Sequence, residues 1–181
     1  MILKRKQEIE RFLAAPDAPF LAAVIHGRDL VVVRERARAL SARVTQRPED
    51  PFDVALLSDA DLDADPARLE EELSAVSMMG GRRLVRLRLS GDRPAVDRAA
   101  AEGLKGHLAG KGNPDAFFLV EAGELGRDSA LKKVADVEAI CISGEELAER
   151  QAKHASVMKT MLRAQKRRWV IKLTPCRAAA R

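Results

Sequence analysis

An open, mostly parallel α/β sheet with helices on both faces is the fold class this sequence predicts. Three features point to it. Five short apolar runs alternate with segments of helical periodicity up to residue 143. Several of those runs are apolar throughout, as in strands covered on both faces of a parallel sheet. The length of 181 residues suits one such domain with something left over.

The elements follow in order. "LKRKQEIERFLAA" places Leu3, Ile9, Phe12 and Leu13 at near-helical spacing, and Pro16 ends it. "FLAAVIHG" is a buried strand closed by Gly27. A helix follows from "RDLVVVRERARALSARV", with Asp29 as its cap. Val32, Val33, Ala37 and Leu40 share one face, and Arg34, Glu35 and Arg38 lie opposite. "FDVALLS" is the second strand. "DADPARLEEELSAVSM" is one helix with Asp65 as cap, Pro66 at its first position and acids in its first turns.

"RRLVRLRL" alternates Leu84, Val85, Leu87 and Leu89 with Arg86 and Arg88, a strand with one face partly exposed and near a sheet edge. The helix "PAVDRAAAEGLKGHLAG", the strand "DAFFLVEA", a helix around "DSALKKVA" capped by Ser129 or Asp128, and the strand "EAICIS" complete the domain over residues 1–143. With only 3% aromatic residues and no Tyr, the core rests on Leu, Val, Ile and Ala.

Composition excludes several classes. No run approaches the roughly 18 apolar residues of a membrane span, and no apolar core follows the basic N-terminus as in a signal peptide. Cys141 and Cys176 have no metal-ligand spacing and read as free thiols. The expectation is a cytoplasmic protein with no membrane partner and no metal. The net charge of +5 divides unevenly, because no Asp or Glu follows Glu149. A mildly acidic body therefore carries a strongly basic segment over 144–181.

In a doubly wound sheet the loop after the first strand is where phosphate binds. Here that loop is His26-Gly27-Arg28-Asp29. A P-loop needs G-x-x-x-x-G-K-S/T, so that backbone N–H groups, a Lys and a hydroxyl surround phosphate and metal. This loop has one glycine, no Lys and no hydroxyl, so it reads as a degenerate phosphate loop. "DLDADP" lacks the glycine turn of a calcium loop and reads as a solvated acidic loop. His26, His107 and His154 lie far apart, and no nucleophile motif accompanies them. No catalytic residue is assigned, and function is expected to lie in what the domain touches.

"SAVSMMGGRRLVRLRL" sets Met78 and Met79 before Gly80-Gly81 at a helix–strand junction. Two unbranched thioethers side by side suit an irregular pocket on a partner. Full burial of each contributes about 1.5–3 kcal/mol, and the glycines let the tip swing. The competing reading has them finish the apolar stripe of Leu69, Leu73 and Val76, although adjacent residues cannot both point inward from one helix. Arg82 and Arg83 either rim an acidic partner surface or solvate the strand start.

From Leu3 to Ile142 the chain resembles the delta subunit of the bacterial DNA polymerase III clamp loader. "EIERFLA", "IHGRD…VRERARAL", "DADPARLEEELSAVSMMGGRRLVRLR" and "FFLVEAGELGRDSALKK" match family segments in the same order, the third carrying most weight. The resemblance implies an AAA+-like domain without a working P-loop, no ATP hydrolysis and no cofactor of its own. It implies binding to the sliding clamp (beta), opening that ring or holding it open during DNA replication. The family makes this contact with Ser and an apolar pair, commonly Leu-Phe or Met-Phe. Ser77, Met78, Met79 and Gly80 occupy that place here, with Met where Phe is usual. Delta-prime and tau/gamma subunits are the implied ring partners, reached through a lid and helical collar.

Beyond Ser143 the resemblance stops, and the chain looks truncated relative to the family. The acid-free run ending in Trp169 and an Ala/Arg cluster is what a shifted reading frame produces. The other reading is a basic helix with Val157, Met161 and Leu162 on one side, able to bind DNA phosphates or an anionic surface. A small DNA-binding protein and an α/β enzyme with an unrecognised site remain the rival functional classes.

Overall fold

The first residues of the chain already belong to the sheet. The computed structural model describes residues 2–3, 6–14, 20–48, 50–77, 80–91 and 93–143. Its strands are β1 (Ile2–Leu3), β2 (Ala22–His26), β3 (Val54–Ser58), β4 (Arg83–Leu89), β5 (Ala116–Ala122) and β6 (Ile140–Ser143). Its helices are α1 (Lys6–Ala14), α2 (Leu30–Val44), α3 (Asp59–Ala64), α4 (Arg68–Ser74), α5 (Pro94–Leu108) and α6 (Ala130–Glu138). Among the described residues these form one six-stranded sheet in the order β1-β6-β2-β5-β4-β3, with every pairing parallel.

Side chains alternate across each strand, so the sheet feeds two cores. One face carries Ala23, Ile25, Leu84, Phe117 and Leu119 against Ile9 and Phe12 of α1 and Val33, Ala37 and Leu40 of α2. The other carries Val24, Leu57, Val85, Leu87, Phe118 and Val120 against α3 to α6, through Leu62, Leu69, Leu73, Val96, Leu104 and Leu131. Helices on both faces of a parallel sheet are thus the observed architecture. β5, buried along its whole length, lies between β2 and β4.

Four details depart from the sequence reading. Leu3 belongs to β1, in register with Ile142, rather than to the first helix. A two-residue strand has no periodicity of its own and exists only through its pairing. The segment from Asp59 to Ser74 is two helices. Asp61 turns back to accept from the Ser58 N–H at 2.9 Å and the Ser58 hydroxyl at 2.6 Å, which starts α3 within the acidic stretch read as a solvated loop. Asp65 accepts from the Ala67 N–H at 3.0 Å in the turn between them, and Ala67 is the residue that precedes α4.

The fourth lies in β4, which is near the sheet edge as expected, one strand in with β3 outside it. Its Arg86 is buried rather than solvated, because the Nε and Nη2 groups donate to Glu121 Oε1 of β5 at 2.8 and 2.5 Å. Asp29 and Ser129 cap α2 and α6 as expected, with Asp29 Oδ1 accepting from Val31 and Val32 and Ser129 Oγ from Lys132.

Candidate functional site

Two loops at opposite ends of the sheet carry the residues singled out from the sequence. The loop between α4 and β4 lies at the amino end of the strands, and the loop between β2 and α2 at the carboxyl end. A seven-residue strand separates the two ends by about 20 Å.

At the amino end α4 stops at Ser74, earlier than the pattern through Met78 predicts. Asn113, in the turn before β5, takes two of its last carbonyls: its N–H donates to Leu73 O and its Nδ2 to Ala75 O, both at 3.0 Å. The chain then leaves the helix axis. Ser77 is buried, and its hydroxyl donates to Asp53 Oδ1 at 2.7 Å, with Gly80 O at 3.3 Å. Gly80 and Gly81 both have left-handed backbones, with φ of +76° and +94°, which is where glycine is needed. Met78 and Met79 lie outside the described residues.

Both arginines after the glycines have internal partners. Arg82 donates from Nη2 to Phe20 O at 2.6 Å, and its guanidinium lies 5.3 Å from the centroid of the Phe117 ring. Burial pulls its pKa down from the ordinary arginine value, and the charge of Asp115 opposes that. Arg83 pairs with Glu72 of α4 and donates to Phe52 O at 3.1 Å. Phe52 and Val76, next in sequence to Asp53 and Ser77, are exposed at 59% and 73%. Asp53 and Asn113, which hold this loop, were not singled out from the sequence. The one signal was an acid at the head of an apolar strand run.

At the carboxyl end only Gly27, Arg28 and Asp29 connect β2 to α2. The Asp29 carboxylate accepts from the Val31 and Val32 N–H groups at 2.9 and 3.3 Å. These are the donors that a phosphate at a helix N-terminus would take. Gly27 N donates to Gly123 O at 3.2 Å, and Arg28 pairs with Glu124, so the loop is tied to the end of β5. Arg28 also holds the Glu124 carboxyl below its usual range. His26 is buried at the end of β2. A crevice past the ends of β4 and β5 has a volume of about 160 Å³ and is lined by Ser90, Arg93, Asp97, Glu124 and Ser129 among others.

Its polar groups are largely committed: Asp97 accepts from Ser129 Oγ and from Ala130 N, and Arg93 pairs with Asp63. Among the described residues no group of three or more His, Cys, Asp or Glu side chains is placed to hold a metal ion. No described helix is long and apolar enough to cross a membrane. His154, Cys176, Trp169 and the rest of 144–181 lie outside the described residues.

No family model and no curated protein matches the chain. Among solved structures it is similar to the DNA clamp loader delta protein of Bacillus subtilis, at 15% identity and a TM-score of 0.58. That likeness covers 76% of this chain and 42% of the other. The two share a fold. A DNA polymerase III gamma subunit-related protein of Thermotoga maritima aligns at 14% identity and a TM-score of 0.49, over 76% of this chain and 44% of that one. The likeness to the Bacillus subtilis protein is one of fold, an α/β architecture with a parallel sheet, and this chain spans less than half the length of either neighbour.

Proposed function

We propose that this chain is a non-catalytic clamp-loader subunit of the delta kind. It binds the sliding clamp through Ser77, Met78, Met79 and Gly80, and opens that ring or holds it open during DNA replication. The observation that carries this reading is the loop between α4 and β4. Ser77 is fastened to Asp53, Gly80 and Gly81 take left-handed turns, and the two methionines fall between these fixed points. Two long, unbranched apolar residues in sequence between such fixed points suit an anchor for a hydrophobic pocket. The exposed Phe52 and Val76 beside it widen the apolar surface.

The carboxyl end supports the same reading. With the first N–H groups of α2 taken by Asp29 and the loop tied to Glu124, ATP acts through partner subunits rather than on this chain. Those partners are the delta-prime and tau/gamma subunits of a loader ring, and the basic segment after Ser143 is the part suited to DNA phosphates. The chain works in the cytoplasm, beside the replication machinery.

The test is binding of the purified full chain to its cognate sliding clamp, beside the Met78→Ala/Met79→Ala double variant. Micromolar or tighter binding that the double variant loses supports the proposal. No binding by the folded wild-type chain refutes it.

A further inference from the structure

We infer that Asp53 is a positioning residue for the loop after α4, its carboxylate fixing Ser77, the residue at which the proposed binding segment begins. The inference rests on the partner-binding reading of that loop, and extends it to a residue in another element. Asp53 sits at the head of β3, where its backbone is already committed. Its N–H donates to Asp50 O at 3.1 Å, and its carbonyl accepts from Leu84 N at 2.8 Å, at the start of the β3–β4 ladder. The side chain therefore leaves a point set by the sheet itself.

Its two oxygens have different partners. Oδ2 faces Arg47 Nη2 at 2.8 Å, which offsets the charge of a side chain only 4% exposed. Oδ1 accepts from Ser77 Oγ at 2.7 Å. A serine hydroxyl has one hydrogen to give, and the carboxylate at 2.7 Å takes it in preference to Gly80 O at 3.3 Å.

Among the described residues, the loop's other fastenings lie farther along the chain from positions 78 and 79. Asn113 grips the chain at Ala75, and Arg82 and Arg83 grip it beyond the glycines. A Cβ added at Gly80 or Gly81 would meet nothing within 4 Å. The Ser77–Asp53 bond is one residue from Met78. Fixing a binding loop before the partner arrives reduces the ordering cost of association, so the bond contributes to affinity more than to fold stability.

Clamp affinity and hydrogen–deuterium exchange over 75–82 are measured for the full chain, Asp53→Ala and Asp53→Asn. Asparagine keeps an oxygen for the Ser77 hydroxyl, whereas alanine removes it. Asp53→Ala is expected to bind about tenfold more weakly and to exchange faster over 75–82 only, with its circular dichroism unchanged. Asp53→Asn is expected to stay within about threefold of wild type. Equal loss in both variants overturns the inference, because the effect would then belong to the charge on Arg47. Wild-type affinity in Asp53→Ala also overturns it. Should Asp53→Ala fail to fold, Ser77→Ala takes its place and is read by exchange over 75–82 alone, because Ser77 is itself proposed to touch the clamp: faster exchange there upholds the inference and unchanged exchange overturns it. If the wild-type chain does not bind the clamp, the partner reading falls, and exchange alone decides: faster exchange in Asp53→Ala upholds the positioning role, and unchanged exchange overturns it.

Discussion

Arg28 and Glu124 face each other across the carboxyl end of the sheet in a two-pronged ion pair, Nε to Oε2 at 2.7 Å and Nη2 to Oε1 at 2.8 Å. The pair joins the end of β2 to the end of β5, the neighbouring strands between which a doubly wound sheet commonly binds its ligand. Both side chains are largely exposed, so the pair organises the loop more than it stabilises the fold.

Asp29, the next residue, bears directly on nucleotide binding. With its carboxylate on the Val31 and Val32 N–H groups, millimolar Mg-ATP is expected to leave the melting temperature of the chain unchanged. Asp29→Ala removes the cap and is expected to lower stability by about 1 kcal/mol in urea titration. A clear rise in melting temperature with Mg-ATP in the wild-type chain would contradict this account of the loop.

The Arg86–Glu121 pair is buried on both sides, with side-chain exposures of 7% and 3%. Removing Arg86 leaves the buried Glu121 with only the more distant Arg88, whose Nε is 3.5 Å from Oε2, so Arg86→Met alone is expected to cost about 3 kcal/mol. Arg86→Met with Glu121→Met removes both charges and should recover most of that loss. Chemical denaturation of the two single variants and the double variant measures it. Additive losses would mean that the pair is not the unit that matters.

His107, 3% exposed on the last turn of α5, has Nε2 at 3.1 Å from Ala116 O. Burial lowers its pKa below the ordinary 6.5, and the Ala116 carbonyl opposes this in part. Below pH 6.5 the unfolded chain takes up a proton that the folded chain resists. The stability contributed by neutral His107 is therefore full above that pH. It declines on acidification until the folded pKa is passed. Melting temperatures between pH 8 and 5 should show this fall, and His107→Gln should flatten it.

Gly80 and Gly81 occupy backbone conformations that cost an L-residue about 1–2 kcal/mol. Since no atom crowds either Cβ position, the penalty is one of backbone alone. Gly80→Asn, at φ +76°, is expected to be tolerated better than Gly80→Val, because Asn visits the left-handed region and a β-branched residue does not. Thermal melts of the two variants decide it, and equal melting temperatures would show that the loop rebuilds around any residue.

Much of this fold was legible in the sequence because its strands are covered on both faces. Runs such as "FLAAVIHG" and "DAFFLVEA" have no other use, and Asp29, Pro94 and Ser129 mark helix starts by ordinary cap chemistry. What escaped depends on pairing across the chain. β1 is too short to show a pattern. Arg86 and Arg88 look like solvent-facing alternation until β5 brings Glu121 beside them, with Arg88 in direct register. A lone Glu in an apolar strand was the available hint. At the candidate site, Ser77 and the glycines were readable from the helix–strand junction. Asp53 was not, because its partner lies 24 residues away and only the β3–β4 ladder brings them together.

The fastenings around the loop at the amino end have a consequence for how such a domain can change. Asp53, Asn113, Glu72 and Phe20 supply them, and among the described residues each grips the chain no later than Ser77 or no earlier than Arg82. On the proposed reading, a change of dipeptide at positions 78 and 79 retunes partner choice while every one of these bonds keeps both of its members.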